Sequence, residues 1–315
     1  MYDTLSIAMP ADRSPSVDLM AEIPAQLTKA KEILDLSTGT VTVTGHCKNF
    51  RVTVKETGIF MSGSLSKFYY GNNQSTLNLK DTKDAITTLS DALHLPLSEG
   101  LVRRLDFAGN YIISHPVASY FDALSNCPYY EKLSYNSSLY FESGRRTMLF
   151  YDKVAEQILK KEPIIKEFEG QNVLRYEYRL QNKIADQLKR DFVKVSDLYE
   201  PDFYREVLLR YHNEYKSIHK MNYLFFDPEI IGDVKALKNQ LLIDGIEARG
   251  GEKVVLDMLE AAKKRGEFTN GMQYGRSRKM VRELCSKPIL TGKSDFITEL
   301  DFKINEKVQT ELSSL

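Results

Sequence analysis

Residues Val173 to Leu180 read Val-Leu-Arg-Tyr-Glu-Tyr-Arg-Leu, and this alternation constrains the fold more than any other stretch of the chain. Successive side chains of a strand point to opposite faces, so Leu174, Tyr176, Tyr178 and Leu180 share one face and Arg175, Glu177 and Arg179 the other. The segment has to be a strand with one apolar and one charged face. Arg103-Arg104-Leu105-Asp106-Phe107 is built alike, with Arg104 and Asp106 on one side and Leu105 and Phe107 on the core side. A third segment, Arg145 to Lys153, reads as a short buried strand through Met148, Leu149 and Phe150 that ends in Tyr151, Asp152 and Lys153. From Lys153 to Lys161 the spacing turns helical.

The rest of the first 194 residues fills in around these strands. Tyr2 to Met9 predicts a strand, Ala25 to Leu34 a helix, and Thr40–Thr44, Arg51–Lys55 and Ile59–Met61 an antiparallel meander. Asp81 opens a helix with Ile86, Leu89 and Leu93 inward, and Pro116 to Leu124 gives a short crossing helix. Tyr129 to Ser138 reads as loop, and Leu139 to Glu142 as a strand paired with the Tyr151 strand through the Ser143-Gly144 turn. Beyond about Lys194 the pattern is helical. Its stripes are Tyr204, Val207, Leu208, Tyr211, Tyr215 and Ile218; then Val234, Leu237 and Leu241; then Val254, Val255, Met258, Leu259 and Ala262. Turns fall at Asp227-Pro228, Gly245, Gly250-Gly251 and Gly266. The expected class is α+β: an antiparallel sheet with flanking helices over 1–194, then a helical region over 195–315.

Composition removes several alternatives. No apolar run approaches the roughly 20 residues of a membrane span, and Met1-Tyr2-Asp3 lacks the basic start of a signal peptide, so a cytoplasmic protein with no membrane partner is expected. Cys47, Cys127 and Cys285 show no Cys-x-x-Cys spacing and read as free thiols. Formal net charge is zero, against a sequence-blind nucleic-acid coat. Charge is nevertheless segregated: Ala261 to Lys287 holds eight basic residues, among them Lys263, Lys264, Arg265, Arg276, Arg278 and Lys279, against two acids. That run is a candidate phosphate-binding patch, or else a solvated face.

The three strands together suggest a reaction. If Asp106 and Glu177 face the same way on neighbouring strands, they are placed to hold a hard cation, Mg²⁺ or Mn²⁺. The cation would polarise a phosphodiester for attack by a tyrosine hydroxyl, with Lys153 stabilising the phenolate and arginines, Arg104, Arg175 and Arg179 among them, meeting phosphate charge. The plainer readings are cross-strand ion pairs for the acids, core packing for Tyr151, and a helix cap for Asp152.

Four segments, in order, carry a resemblance: Met1-Tyr2-Asp3-Thr4-Leu5-Ser6-Ile7-Ala8-Met9-Pro10, Arg104-Leu105-Asp106, Arg146-Thr147-Met148-Leu149-Phe150-Tyr151-Asp152-Lys153, and Leu174-Arg175-Tyr176-Glu177-Tyr178-Arg179. Over about residues 1 to 190 the chain resembles the replication initiators of filamentous phages, the gene II and gene X family of phage and plasmid replication proteins. The resemblance implies a site- and strand-specific endonuclease that nicks the origin of a double-stranded replicative form, starts rolling-circle synthesis and recloses the displaced strand. It implies a bacterial host cell, with a host helicase, single-strand binding protein and polymerase as partners. The family's nucleophile, the tyrosine of Arg-Thr-x-x-x-Tyr-x-Lys, maps onto Tyr151, with Arg146 and Lys153 as its catalytic neighbours. Asp106 and Glu177 match the acids assigned above to the metal. Many rolling-circle initiators carry a His-hydrophobic-His pair, which this sequence lacks, so acids must substitute. Tyr140, on the partner strand of the proposed hairpin, is the rival nucleophile. A non-catalytic origin-binding or copy-control protein, and an interaction protein whose charges only pair with one another, stay open.

Overall fold

The computed structural model describes residues 1–14, 17–220, 233–286 and 295–315. Ten strands form one sheet: β1 (Tyr2–Pro10), β2 (Thr28–Asp35), β3 (Thr40–Cys47), β4 (Phe50–Lys55), β5 (Gly58–Ser64), β6 (Leu101–Ile113), β7 (Glu131–Tyr135), β8 (Ser138–Glu142), β9 (Arg146–Asp152) and β10 (Asn172–Leu180). Their order across the sheet is β2-β3-β4-β5-β1-β6-β10-β9-β8-β7, and every pairing is antiparallel. The two long strands β6 and β10 therefore lie side by side at the centre, with β9 next to β10.

Alternation in β10 does what its sequence requires. Leu174, Tyr176, Tyr178 and Leu180 are all fully buried, and Tyr176 stacks on Phe150 of β9 at 4.6 Å with the rings 6° apart. The Pro201–Ser217 helix closes this face with Tyr204, Tyr211 and Tyr215. Gly109 makes the closure possible, since a Cβ there would sit 2.5 Å from the Tyr111 hydroxyl and 2.8 Å from that of Tyr211. Those hydroxyls share a hydrogen bond of 2.6 Å over the glycine.

The expected meander, the Leu79–Leu93 helix and the β8–β9 hairpin are all present. Two expected elements of the first 194 residues differ. Ala25 to Leu34 is not a helix: a short turn at Pro24–Gln26 leads into β2, every residue of which is exposed. With no apolar stripe buried, pairing with β3 gains more than a helix on that segment would. Within the expected Tyr129–Ser138 loop, Glu131–Tyr135 forms β7, an edge strand held by its ladder to β8.

The compact unit built on the sheet comprises Met1–Asp122, Asn126–Ile218 and Glu299–Leu315. It runs past the boundary expected near residue 195 because the Pro201–Ser217 aromatics complete the sheet's core. Its last segment is tied in by Tyr215 donating to Asp301 at 2.7 Å and Tyr204 donating to Glu311 at 2.5 Å.

A second unit, Ala123–Ser125 with His219–Thr298, holds the helices Val234–Glu247, Glu252–Lys264 and Gly271–Cys285. They pack through Ile243, Ile246, Val281 and Leu284, against which the Glu252–Lys264 helix sets the partly buried Val255, Leu256 and Leu259. Val234, Leu241, Val254 and Met258, expected inward, are exposed, and the helix continues through Gly245. The expected Asp227-Pro228 turn and Lys287 lie outside the described residues.

Candidate active site

Register places Arg104 and Asp106 of β6, Arg175, Glu177 and Arg179 of β10 and Tyr151 of β9 on one face. Glu177 of β10 lies between Ala108 of β6 and Leu149 of β9, Arg179 between Asp106 and Thr147, and Arg175 between Asn110 and Tyr151. The Tyr151 hydroxyl donates to Glu177 Oε1 at 2.8 Å, and Arg175 Nε donates to the same oxygen at 2.8 Å. Arg179 gives Nε and Nη2 to Glu177 Oε2 at 3.0 and 2.7 Å. Asp106 is gripped by Arg104 through two bonds of 2.8 and 2.6 Å, with Arg179 Nε 3.6 Å from its Oδ2. One connected chain thus runs Tyr151, Glu177, Arg179, Asp106, Arg104.

Electrostatics follow from burial set against these cations. Burial pushes the Glu177 carboxyl up, but Arg175 and Arg179 outweigh it and hold it well below the ordinary carboxylate range. For Asp106 burial wins over Arg104, and its carboxyl rises to about 6. Burial also drives the Tyr151 phenol well above its ordinary value, with Arg175 opposing, so at neutral pH the resting hydroxyl is a proton donor to Glu177.

Tyr151 lines a cleft of about 530 Å³ with Ser138, Tyr140, Glu156, Lys160 and Arg179. Tyr140 of β8 lies opposite Leu149 and so faces the same cleft, its ring edge-on to Tyr135 at 5.6 Å. The two tyrosines expected to compete as nucleophile share one site.

Several expected roles change. Lys153 does not extend the strand face: β9 ends at Asp152, whose carboxylate accepts from Ala155 N and caps the Lys153–Lys160 helix. The fully buried Lys153 amine donates to Asn73 Oδ1 at 2.9 Å and Glu156 at 2.6 Å, and lies 5.8 Å from the centre of the Tyr151 ring. Burial, then Arg175, lowers its pKa. Arg146 stands an odd number of residues from Tyr151 and so projects from the other face, where it pairs with Glu214 at 2.9 Å. Arg175, expected to contact DNA, is 1% exposed and consumed by Glu177, Asp3 (2.8 Å), the Asn73 carbonyl (2.9 Å) and Asn110 (3.1 Å). Arg179 and Arg104, with side chains 23% and 34% exposed, keep access to solvent.

Asp3, Asn73 and Asn110 are site residues that the sequence reading misses. The first stands in plain view in the opening strand; the Asn73 contact depends on a loop whose placement no local pattern gives.

The acids do not fit a hard cation as arranged. Mg²⁺ and Mn²⁺ favour octahedral sets of oxygen ligands. The roughly four lone-pair positions of a carboxylate are already taken in Glu177 by Tyr151, Arg175 and the two Arg179 donors. Both oxygens of Asp106 face Arg104. Among the described residues no three His, Cys, Asp or Glu side chains gather as a metal site.

In the second unit, Lys263 and Arg278 lie over the Tyr274 ring at 4.5 and 5.4 Å, Arg265 pairs with Glu267 at 2.6 Å, and Lys279 is 3.6 Å from Glu283. Lys264 and Arg276 are exposed.

The family model for the N-terminal part of the phage replication-associated protein, the gene II protein, matches residues 1–217, which contain every strand of the sheet and both tyrosines. The chain belongs to this family. Membership in the replication-associated gene II protein family agrees with the resemblance to filamentous-phage replication proteins seen in the sequence. No curated protein matches the chain. A structure titled as the rolling circle replication initiator protein from Geobacillus stearothermophilus aligns over 73% of this chain and 89% of its own, at 12% identity and a TM-score of 0.38. Among the described residues no helix is long and apolar enough to cross a membrane.

Proposed function

We propose that this member of the replication-associated gene II protein family initiates rolling-circle replication as a site- and strand-specific endonuclease with Tyr151 as nucleophile. The observation that carries the reading is the Tyr151 hydroxyl held on Glu177 at 2.8 Å in the wall of an open cleft that Arg179 also lines. Attack by the phenol oxygen on phosphorus forms a phosphotyrosyl bond and breaks the P–O3′ bond of the scissile phosphodiester. The phenol proton leaves toward Glu177, and the departing oxygen takes up a proton to become a 3′-hydroxyl. That hydroxyl is what a polymerase extends, while the 5′ end stays activated on the enzyme for later rejoining. Glu177, held ionised, is a weak base; its main work is to aim the hydroxyl. Arg179 and Arg104 are the cations placed to meet charge building on the phosphate. Origin DNA is the substrate on this reading, in a bacterial cytoplasm, with host helicase, single-strand binding protein and polymerase completing the cycle.

One observation favours a second reading. Glu177 has every acceptor position filled and Asp106 is paired, as a purely structural network would have it. The chain would then bind the origin without cutting it. Incubating supercoiled replicon DNA with wild type, Tyr151→Phe and Tyr140→Phe, each with Mg²⁺, with Mn²⁺ and with chelator, separates the two. Nicked circles and a covalent adduct that vanish only in Tyr151→Phe support the proposal. Loss in Tyr140→Phe alone moves the nucleophile to β8, and binding without cutting by wild type supports the second reading. Nicking abolished by chelator would require the arginines to release an acid to the metal.

A further inference from the structure

The site occupies one end of a longer surface. Residues directly opposite one another in a sheet share a face, so the face of Arg104 continues through Ser6 of β1, Ser62 of β5, Arg51 of β4 and His46 of β3. Ser6 and Ser62 confirm the alignment with hydroxyls 2.7 Å apart. The neighbouring row sets Phe60 of β5 opposite Thr53 of β4 and Ala8 of β1.

Two properties mark this face. No acid occurs in β3, β4 or β5, and the one acid of β1, Asp3, is buried against Arg175. Phe60 is also out of pattern. Its neighbours Ile59 and Met61 turn to the core at 0% and 2% exposure, while Phe60 points outward at 49% among serines and threonines, beside the exposed Arg51. A single exposed apolar residue is ordinary. An aromatic ring on a stretch of sheet without exposed acids, with Arg51 and Arg104 in the next row and on the same sheet face as Tyr151, matches what unpaired nucleotides need: a flat surface for a base and cations for its phosphates. A duplex, whose bases are already stacked, gains nothing from the ring.

We infer that the open face of β3, β4, β5 and β1 is a track for single-stranded DNA leading to the nicking site, with a base stacked on Phe60 and phosphates held by Arg51 and Arg104. This deepens the proposed function and rests on its reading of Tyr151 as the point of cleavage. β5 lies four strand spacings from β9, roughly 19 Å at about 4.8 Å each, enough to engage several nucleotides beside the scissile bond.

The test is fluorescence anisotropy with a labelled deoxythymidine oligomer, using Tyr151→Phe protein as the parent so that no cutting intervenes. Phe60→Ala is expected to weaken binding about 5- to 150-fold, the range for loss of one stacked base, and to leave the salt slope unchanged. Phe60→Trp should bind as the parent does, and Arg51→Ala should reduce the slope of log K against log salt by about 0.7. Equal affinity of Phe60→Ala and its parent, or equal weakness of the Ala and Trp variants, overturns the track. So does a duplex of the same length that competes better than the single strand. Failure of wild type to nick, with the Phe60 dependence intact, would count against the cleavage reading and not against the track; nicking without Phe60 dependence would do the reverse.

Discussion

Arg175 and Arg179 occupy the same strand face, yet burial gives them different work. Arg175 is enclosed by Asp3, Glu177, Asn73 and Asn110, so Arg175→Ala would take the cation from buried Asp3 and leave Glu177 to Arg179 and Tyr151. Breaking such a buried pair costs about 3–5 kcal/mol, to be seen as a lower urea midpoint. Arg179→Ala removes a partly exposed cation and is expected to cost less than about half of that in stability while reducing nicking more than folding. If the two variants unfold alike, the division between a structural and a phosphate-facing arginine is wrong. Glu177 supplies a pH signature. Its carboxyl is depressed in the folded state, so the stabilisation is present above the unfolded value of about 4.3 and is lost as pH falls below it. Thermal unfolding between pH 7 and 3 should show wild type losing stability steeply below about pH 4.3, and Glu177→Gln starting lower and falling less.

The Lys153–Lys160 helix forms one wall of the cleft, and its start is fixed by Asp152 accepting from Ala155 N at 2.9 Å. Asp152→Ala should lower stability by about 1 kcal/mol in urea titrations, while Asp152→Asn, which can still cap, should stay within a few tenths. A full loss in Asp152→Asn would mean that charge rather than capping holds the helix. This junction also shows what is legible in the sequence. Alternation places β10 and β6 and sets Glu177 and Asp106 apart from the apolar side of each strand, because a period of two is a property of the strand alone, whereas the meeting of both acids with Tyr151 on one face comes from the pairing of the strands. Alternation misplaces Lys153, because only the point where the strand stops decides which face that residue takes. β2 reads as a helix since its eight exposed residues carry no burial pattern, and only its pairing with β3 makes it a strand. The partners of Arg175 are illegible for a related reason: Asn73 arrives from a loop about a hundred positions away in the chain.

Charge is neutral over the whole molecule and uneven within it, a distribution that permits tight DNA contact without general adhesion to polyanions. The Gly271–Cys285 helix carries Arg276, Arg278, Lys279 and Arg282 against Glu283, and the cations are not equivalent. Arg265 already has Glu267 at 2.6 Å, and Lys279 has Glu283 at 3.6 Å, whereas Arg276 is exposed with no acid placed against it among the described residues. A cation that gives up a protein carboxylate to bind phosphate releases fewer counterions than one that was free. Measured on duplex origin DNA over a range of salt, Arg276→Ala should therefore lower the slope of log K against log salt by about 0.9, and Arg265→Ala by clearly less. Because phosphate contacts carry no sequence information, the loss for Arg276→Ala should be similar on origin and unrelated duplexes. A loss confined to the origin would make Arg276 a reader of bases. No change on either would leave this helix a solvated face and return duplex binding to the unit that carries the sheet.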